Sequence, residues 1–340
     1  MEFRGSDILS VDQFQKEDLR VLFDMAAQME VYATRQKVTR VLEGAVLANL
    51  FFEPSTRSRV SFGAAFNRLG GEVRDTTGFT FSSMAKGESI HDTSRVISGY
   101  SDMMVVRHPE EGAVKQFADA TNIPVINGGD GPGEHPTQAL LDLYTVMKEH
   151  GNNLENIDGL SIAMIGDLKY GRTVHSLAKL LSLFDDLFFT FISPKQLRMP
   201  REIVERIRGR KHRIRETENL EEGVKDADIV YMTRIQEERF KTKKEFARHR
   251  GRYSVDRQFY ENHCKDGTIL MHPLPIDNRP GAQEFNDALH GHPKLAVYRQ
   301  TDNGIPIRMA LFALVLDVAD KVHDTAKDAL WYHPERIDSD

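Results

Sequence analysis

The chain has one cysteine, Cys264, among 340 residues. A lone thiol cannot form an internal disulfide, which suits a reducing cytosol, and its plainest role is that of a partly buried, inert side chain. Long apolar runs are also missing. The longest, residues 45–52 and 309–316, fall far short of a membrane span. The opening MEFRGSD lacks the basic-then-apolar plan of a signal peptide. No dense lysine or arginine block occurs, and the formal net charge of −6 argues against nucleic acid or an anionic membrane as partner. Internal repeats and low-complexity tracts are absent. What remains is an ordinary globular composition, 40% hydrophobic and 28% charged, in a chain long enough for about two domains. The expectation is a cytoplasmic protein.

One stretch stands out against that background: FFEPSTRSRVSFGAAFNRLGG, residues 51–71. The VLANLFF run at 46–52 reads as a buried parallel strand. Phe62, Ala65, Phe66 and Leu69 then recur at helical spacing, and Gly70-Gly71 supplies the stop. Between strand and helix lie Ser55, Thr56, Arg57, Ser58 and Arg59. Unpaired backbone N–H groups and the positive end of the helix dipole converge at such a turn, which suits a phosphate or carboxylate. Arginine adds a planar fork matched to either oxyanion. A capped, salt-bridged helix start is the alternative.

The rest of the chain alternates in the same way. Residues 11–33 are predicted to form one amphipathic helix, with Leu19, Leu22, Phe23 and Ala26 on its buried face. GFTFSSMAKGESIHDT (78–93) shows no periodicity and reads as a long loop. DMMVV (102–106) is strand-like and ends in Arg107, well placed because parallel sheets bind ligands at the carboxyl edge. Residues 123–150 repeat the strand–loop–helix plan. Pro136 fits the first helical position, Leu140, Leu143, Tyr144 and Met147 make the buried stripe, and His135 and Gln138 sit at the helix start. The glycines at 129, 131 and 133 miss the dinucleotide fingerprint, whose third glycine would fall at 134.

A Gly-Asn-Asn boundary follows, and residues 160–181 restart a strand–turn–helix unit with Arg172 near the helix entrance. Residues 186–193 are an apolar strand, and 200–225 a charged, helix-rich stretch read as a solvated face. Residues 226–240 form a strand ending in Arg234 and Gln236, a carboxylate fork and an amide able to meet an amine. Residues 267–279 run from a strand into His272-Pro273-Leu274-Pro275, where two prolines leave the carbonyls of Pro273 and Leu274 free to accept. The last helix is predicted over 305–321. His290 and His292 lack further ligands at zinc spacing, and no nucleophile elbow, Walker loop or HExxH occurs.

Six of these segments resemble, in order, the motifs of the aspartate and ornithine carbamoyltransferase family. The resemblance runs from Asp7 to about Leu316. STRSR is similar to the family's STRTR carbamoyl-phosphate signature, with Ser58 where threonine is usual, and HPTQALLD and HPLP match closely. The resemblance implies two doubly wound parallel-sheet α/β domains, 1–150 completed by a C-terminal helix (302–325) and 151–301. It places the active site in the interdomain cleft and at a subunit interface.

By the same resemblance Ser55, Thr56 and Arg57 hold the phosphate. Ser58, Arg107 and His135 polarise the carbamoyl carbonyl, and Gln138 with the turn Pro273, Leu274 and Pro275 fixes the carbamoyl nitrogen. Ser82 and Lys86 reach in from a neighbouring subunit, and Arg172, Arg234 and Gln236 orient the amino acid. An ornithine enzyme usually has an HCLP turn and an SMG loop. Neither is present, and a cationic substrate would not suit Arg234, so transfer from carbamoyl phosphate to the α-amine of L-aspartate is implied, in pyrimidine biosynthesis. No cofactor is required, and the family assembles as a homotrimer. A regulatory chain or a dihydroorotase-like partner is left open, as are ornithine or other amino-acid transfer and a non-catalytic paralogue acting as a structural partner. Many relatives carry a basic residue after HPLP. Here it is Ile276, so an ion pair from that position to Glu53 is absent or transferred to Arg279.

Overall fold

A strand covered on both faces needs apolar residues at nearly every position rather than at alternate ones, and VLANLF meets that need. The computed structural model describes residues 1–331 apart from 79–82, 236–241, 243, 245, 247, 249 and 280. The chain divides into two units, Met1–Leu140 with a returning segment from Asp302, and Leu141–Thr301.

In the first unit, helix α1 (Lys16–Ala33) precedes the strands of a four-stranded sheet, β1 (Val46–Phe51), β2 (Glu72–Thr77), β3 (Met103–His108) and β4 (Val125–Asp130). They pair entirely in parallel, in the order β2-β1-β3-β4. Helices α2 (Thr56–Arg68), α3 (Ile90–Ser98) and α4 (Ala113–Asp119) make the crossovers, and α5 (Pro136–Glu149) follows β4 and runs from this unit into the second, which begins at Leu141. The period of two divides β1 between two cores. Ala48, Leu50 and Phe52 join Met104, Val106, Val114 and Phe117, with Ile90 and Ile97 of α3 packed against them. On the opposite parity Phe51 meets Phe62 of α2, ring centroids 6.5 Å apart.

Three predicted boundaries move. The 11–33 helix is interrupted: Val11–Gln13 is a 3-10 turn capped by Ser10, whose Oγ accepts from Asp12 N at 3.1 Å. The chain is extended at Phe14, and α1 begins at Lys16. The 78–93 stretch is shorter than a full loop, because Ser89 caps α3 by accepting from Asp92 N (3.0 Å) and Ser83–Lys86 forms a 3-10 turn. The C-terminal helix runs Gly304–Val315 and stops short of 321, where Asp317 turns left-handed at φ 57°.

That C-terminal helix is apolar nearly all round and buried almost throughout, against α1 and α2. Phe312 meets Phe66 edge-on at 5.1 Å. Its one charge, Arg308, lies over the Phe62 ring (4.6 Å) and donates from Nη1 to Ser61 Oγ (2.7 Å).

The second unit contains β5 (Ser161–Ile165), α6 (Arg172–Leu181), β6 (Phe188–Ile192), α7 (Arg201–Gly209), β7 (Arg213–Thr217), α8 (Leu220–Val224), β8 (Ile229–Met232), α9 (Arg257–His263), β9 (Ile269–Met271) and α10 (Val297–Asp302). Its five strands are also all parallel, in the order β9-β8-β5-β6-β7. Both sheets are therefore the parallel, doubly wound α/β type. The charged 200–225 stretch hides a strand. RIRET is the sheet's edge, and an edge strand can carry charges that a central one cannot. No described helix is long and apolar enough to cross a membrane.

Removing the Phe312 ring leaves a cavity between three helices. Phe312→Ala should cost about 3–5 kcal/mol of stability, seen as a lowered midpoint in urea unfolding. Burial pushes the Cys264 thiol up to about 11. Native protein at pH 8 should therefore react slowly with iodoacetamide, and urea-unfolded protein far faster, as followed by intact mass.

Candidate active site

In a parallel sheet every strand ends at the same edge, and a crevice opens where the chain order reverses. In the first unit the reversal lies between β1 and β3. After β1 the chain goes to β2 on one side, and it returns to β3 on the other. Phe51 is in register with Arg107 there, and Phe52 N donates to Arg107 O (2.9 Å).

The STRSR turn stands on that edge. Ser55 is the N-cap residue of α2 with extended backbone (φ −161°, ψ 96°), yet its side chain caps no helix N–H. A thirteen-residue helix thus begins with its N-terminal amides beside three hydroxyls and two arginines. Desolvation lowers the Arg57 pKa from its ordinary value, although a guanidinium keeps its charge in proteins. Ser55 and Ser58 are half-buried, and Thr56 and Arg57 exposed.

Arg107 is buried beside this turn. Its Nη2 pairs with Glu53 Oε2 (2.7 Å), and its Nη1 donates to Gly128 O (3.2 Å). The register slips here: Val106 faces Asn127 but Arg107 faces Gly129. Such a bulge re-aims a strand end. Asn127 supports it by accepting from Gly129 N at 2.7 Å. Gly131 (φ 48°) closes the following turn, where a Cβ would sit 2.6 Å from Pro109 O. That turn delivers buried His135 to the entrance of α5, its carbonyl accepting from Gln138 N (3.1 Å) and Ala139 N (3.3 Å). The sheet edge therefore gathers Ser55–Ser58, Arg107, His135 and Gln138. Lys86 is exposed at the end of the Ser83–Lys86 turn. Ser82 lies outside the described residues.

In the second unit the reversal lies between β5 and β8. Thr233 N donates to Ile165 O (2.9 Å), and Gly166 (φ 112°) packs so closely on Thr233 that a Cβ would collide with its carbonyl oxygen. Asp167 Oδ1 accepts from Lys169 N (3.2 Å) and Tyr170 N (3.0 Å), shaping the loop that brings Arg172 to the first position of α6. Arg234 lies just past β8, half-buried. Gln236 lies outside the described residues.

After β9 the chain turns at His272. Its Nδ1 accepts from Leu274 N (2.8 Å), and Leu274 takes a left-handed φ of 61°. Among the described residues no donor meets the carbonyl oxygens of Pro273 or Leu274. Arg172, Arg234 and the His272–Pro275 turn thus end up on one edge of one sheet.

Residues 6–148 match the aspartate/ornithine carbamoyltransferase carbamoyl-P binding domain, and residues 158–315 the Asp/Orn binding domain of the same enzymes. The chain belongs to the aspartate/ornithine carbamoyltransferase family. Within the family it is 58% identical to the aspartate carbamoyltransferase catalytic subunit of Saccharophagus degradans, over 98% of this chain and 99% of that one. It is 57% identical to that of Cellvibrio japonicus, over 98% of both. Among solved structures, the catalytic subunit of M. jannaschii aspartate transcarbamoylase is 43% identical, with a TM-score of 0.82 over 92% of this chain and 98% of that one. The Trypanosoma cruzi aspartate transcarbamoylase in complex with carbamoyl phosphate and aspartate is 36% identical, with a TM-score of 0.84 over 92% and 98%.

The two charges left open around Ile276 each have a partner in their own unit, Glu53 in Arg107 and Arg279 in Asp277. Hydrogen bonds from Arg279 Nε (2.8 Å) and Nη2 (2.5 Å) outweigh burial and, with a smaller pull from Arg234, hold the Asp277 carboxyl below the usual carboxylate range. A depressed folded-state pKa stabilises above the unfolded value, near about 4, and that stability is lost as pH falls through the lower folded value. Asp277→Asn should accordingly unfold at lower urea than the parent at pH 7, and the gap should close in acid.

Proposed function

We propose that the chain is an aspartate carbamoyltransferase, transferring the carbamoyl group of carbamoyl phosphate to the α-amine of L-aspartate. The observation that carries this reading is chemical: an anion-binding helix start and Arg107 share one switch point, and two arginines suited to a dicarboxylate flank the other. Residues 1–150, completed by the C-terminal helix (302–325), are the carbamoyl-phosphate half in this reading, and residues 151–301 the aspartate half.

In the reaction the neutral amine nitrogen attacks the carbamoyl carbon, the carbonyl oxygen gathers negative charge, and the C–O bond to phosphate breaks as the amine's proton passes to the departing phosphate. N-carbamoyl-L-aspartate and phosphate leave. Ser55, Thr56 and Arg57 hold the phosphate oxygens through hydroxyls, backbone amides and a guanidinium. Ser58, Arg107 and His135 donate to the carbonyl oxygen, where charge develops. Gln138 and the carbonyl oxygens of Pro273 and Leu274, with Pro275 closing the turn, accept from the carbamoyl nitrogen and fix its plane. Arg172 takes the α-carboxylate of aspartate, Arg234 its side-chain carboxylate, and Gln236 its amine. Catalysis rests on positioning and on donors aimed at a developing oxyanion.

The reading extends to a homotrimer in which Ser82 and Lys86 of a neighbouring copy complete each site, Lys86 adding charge beside the leaving phosphate. It places the enzyme in the cytoplasm, at the carbamoylation step of pyrimidine biosynthesis. Ornithine is disfavoured because Arg234 would face its ammonium group.

The test is carbamoyl transfer to L-aspartate and L-ornithine measured side by side. Turnover with aspartate alone supports the reading, ornithine turnover overturns the substrate, and silence with both removes the activity. Arg57→Ala and His135→Ala should each lower kcat by roughly two to three decades with the fold retained, as for loss of one oxyanion donor. A near-normal rate would take that residue out of the catalytic set.

A further inference from the structure

Helix α5 carries an acid where its pattern calls for none. Asp142 lies between Leu140 and Leu143 of the buried stripe and is itself fully buried. Such a carboxylate persists only where its oxygens are met by donors. Tyr231 Oη donates to Asp142 Oδ2 and Gln300 Nε2 donates to Asp142 Oδ1, both at 2.6 Å, the short separations of charge-assisted bonds. All three residues lie in the second unit. Tyr231 reaches Asp142 because strand parity turns it away from the core that holds Val230 and Met232.

The chain of bonds continues beyond Gln300. Gln300 Oε1 accepts from His272 N (2.9 Å), the first residue of the turn that presents the Pro273 and Leu274 carbonyls. The polarity is fixed throughout. A backbone N–H can only donate, so Gln300 must present oxygen to His272 and nitrogen to Asp142, and an acceptor-only carboxylate ends the chain.

We propose that Asp142 is a positioning residue: held by Tyr231 of β8, it sets the His272–Pro275 turn through Gln300. One buried carboxylate thereby ties the substrate-contacting turn after β9 to α5 and β8. The assignment of that turn rests on the carbamoyltransferase reading above.

Polarity supplies the test. Asp142→Asn keeps the shape but points an N–H at one of two donors. Combining Gln300→Glu with Asp142→Asn reverses the central bond. The amide introduced at position 142 then donates to the carboxylate introduced at position 300, and that carboxylate still accepts from His272 N. The amide oxygen at position 142 still accepts from Tyr231. Hydrogen exchange by mass spectrometry over residues 267–279 reads the turn directly in the full chain. Asp142→Asn should speed exchange there by about tenfold to a hundredfold, the scale of a lost buried charge-assisted bond, and the double variant should restore protection. Unchanged protection in Asp142→Asn, or a double variant no better than the single one, overturns the proposal whether or not the protein turns over aspartate.

Kinetics separate positioning from general support. Asp142→Asn should raise KM for carbamoyl phosphate by roughly tenfold, because the turn that meets the carbamoyl nitrogen is loosened, and the double variant should bring it back. An unchanged KM for carbamoyl phosphate in Asp142→Asn, or no recovery in the double variant, overturns the positioning role. If exchange behaves as stated and the parent chain still transfers nothing to aspartate, the network stands and the functional reading falls.

Discussion

The structure depends on one constraint: in an all-parallel sheet every strand points the same way, so every crossover helix begins at the same edge. Helix N-termini, with their unpaired amides and positive dipole ends, are thereby collected on one side of each sheet. The STRSR turn gains its meaning from that constraint. The same residues at a helix start elsewhere would be a solvated surface, whereas here they stand at the reversal between β1 and β3, next to Arg107. The second unit repeats the arrangement with Arg172 and Arg234 around the β5–β8 reversal.

Burying polar groups at such an edge is costly unless each is held, and the two units hold them differently. In the first unit the holding is by backbone. A bulge opposite Arg107 lets Gly128 O take one guanidinium N–H, while Glu53 takes another. The pair is charge-assisted and largely shielded, so any oxyanion that engages Arg107 meets a guanidinium already partly committed. In the second unit the holding is by side chains, through Asp142, Tyr231 and Gln300, all buried and joined by bonds of 2.6 Å. Bonds of that kind resist rearrangement, because breaking one leaves a buried donor or charge uncompensated. A site that works by placing donors against a developing charge gains from such rigidity.

Much of this was legible in the sequence because the signals were local. Apolar runs over 46–52, 160–165 and 186–193 mark buried strands, and stripes such as Leu19, Leu22, Phe23 and Ala26 mark helix faces. The edge strand RIRET was missed for the complementary reason: its alternating charges fit a solvated helix as well as an exposed edge. The start of α3 was missed although Ser89 and Asp92 form a recognisable cap, because the surrounding Ser, Gly and Thr masked it. The early end of the C-terminal helix had no signal at all, since Asp317 turns left-handed only where the chain must fold back.

The sequence by itself determined most of the element types, the parallel strand–helix plan and the identity of the charged and hydroxyl groups at each strand end. Those follow from spacing and composition, which act over a few residues. Tertiary structure alone decided the rest: strand order, the register that sets Arg107 beside Phe51, the bulge that gives Arg107 its carbonyl partner, and the bonding of Asp142 to residues far along the chain. Such pairings join residues separated by dozens to hundreds of positions. Only burial, which makes an unmet polar group expensive, selects among the partners the chain could offer.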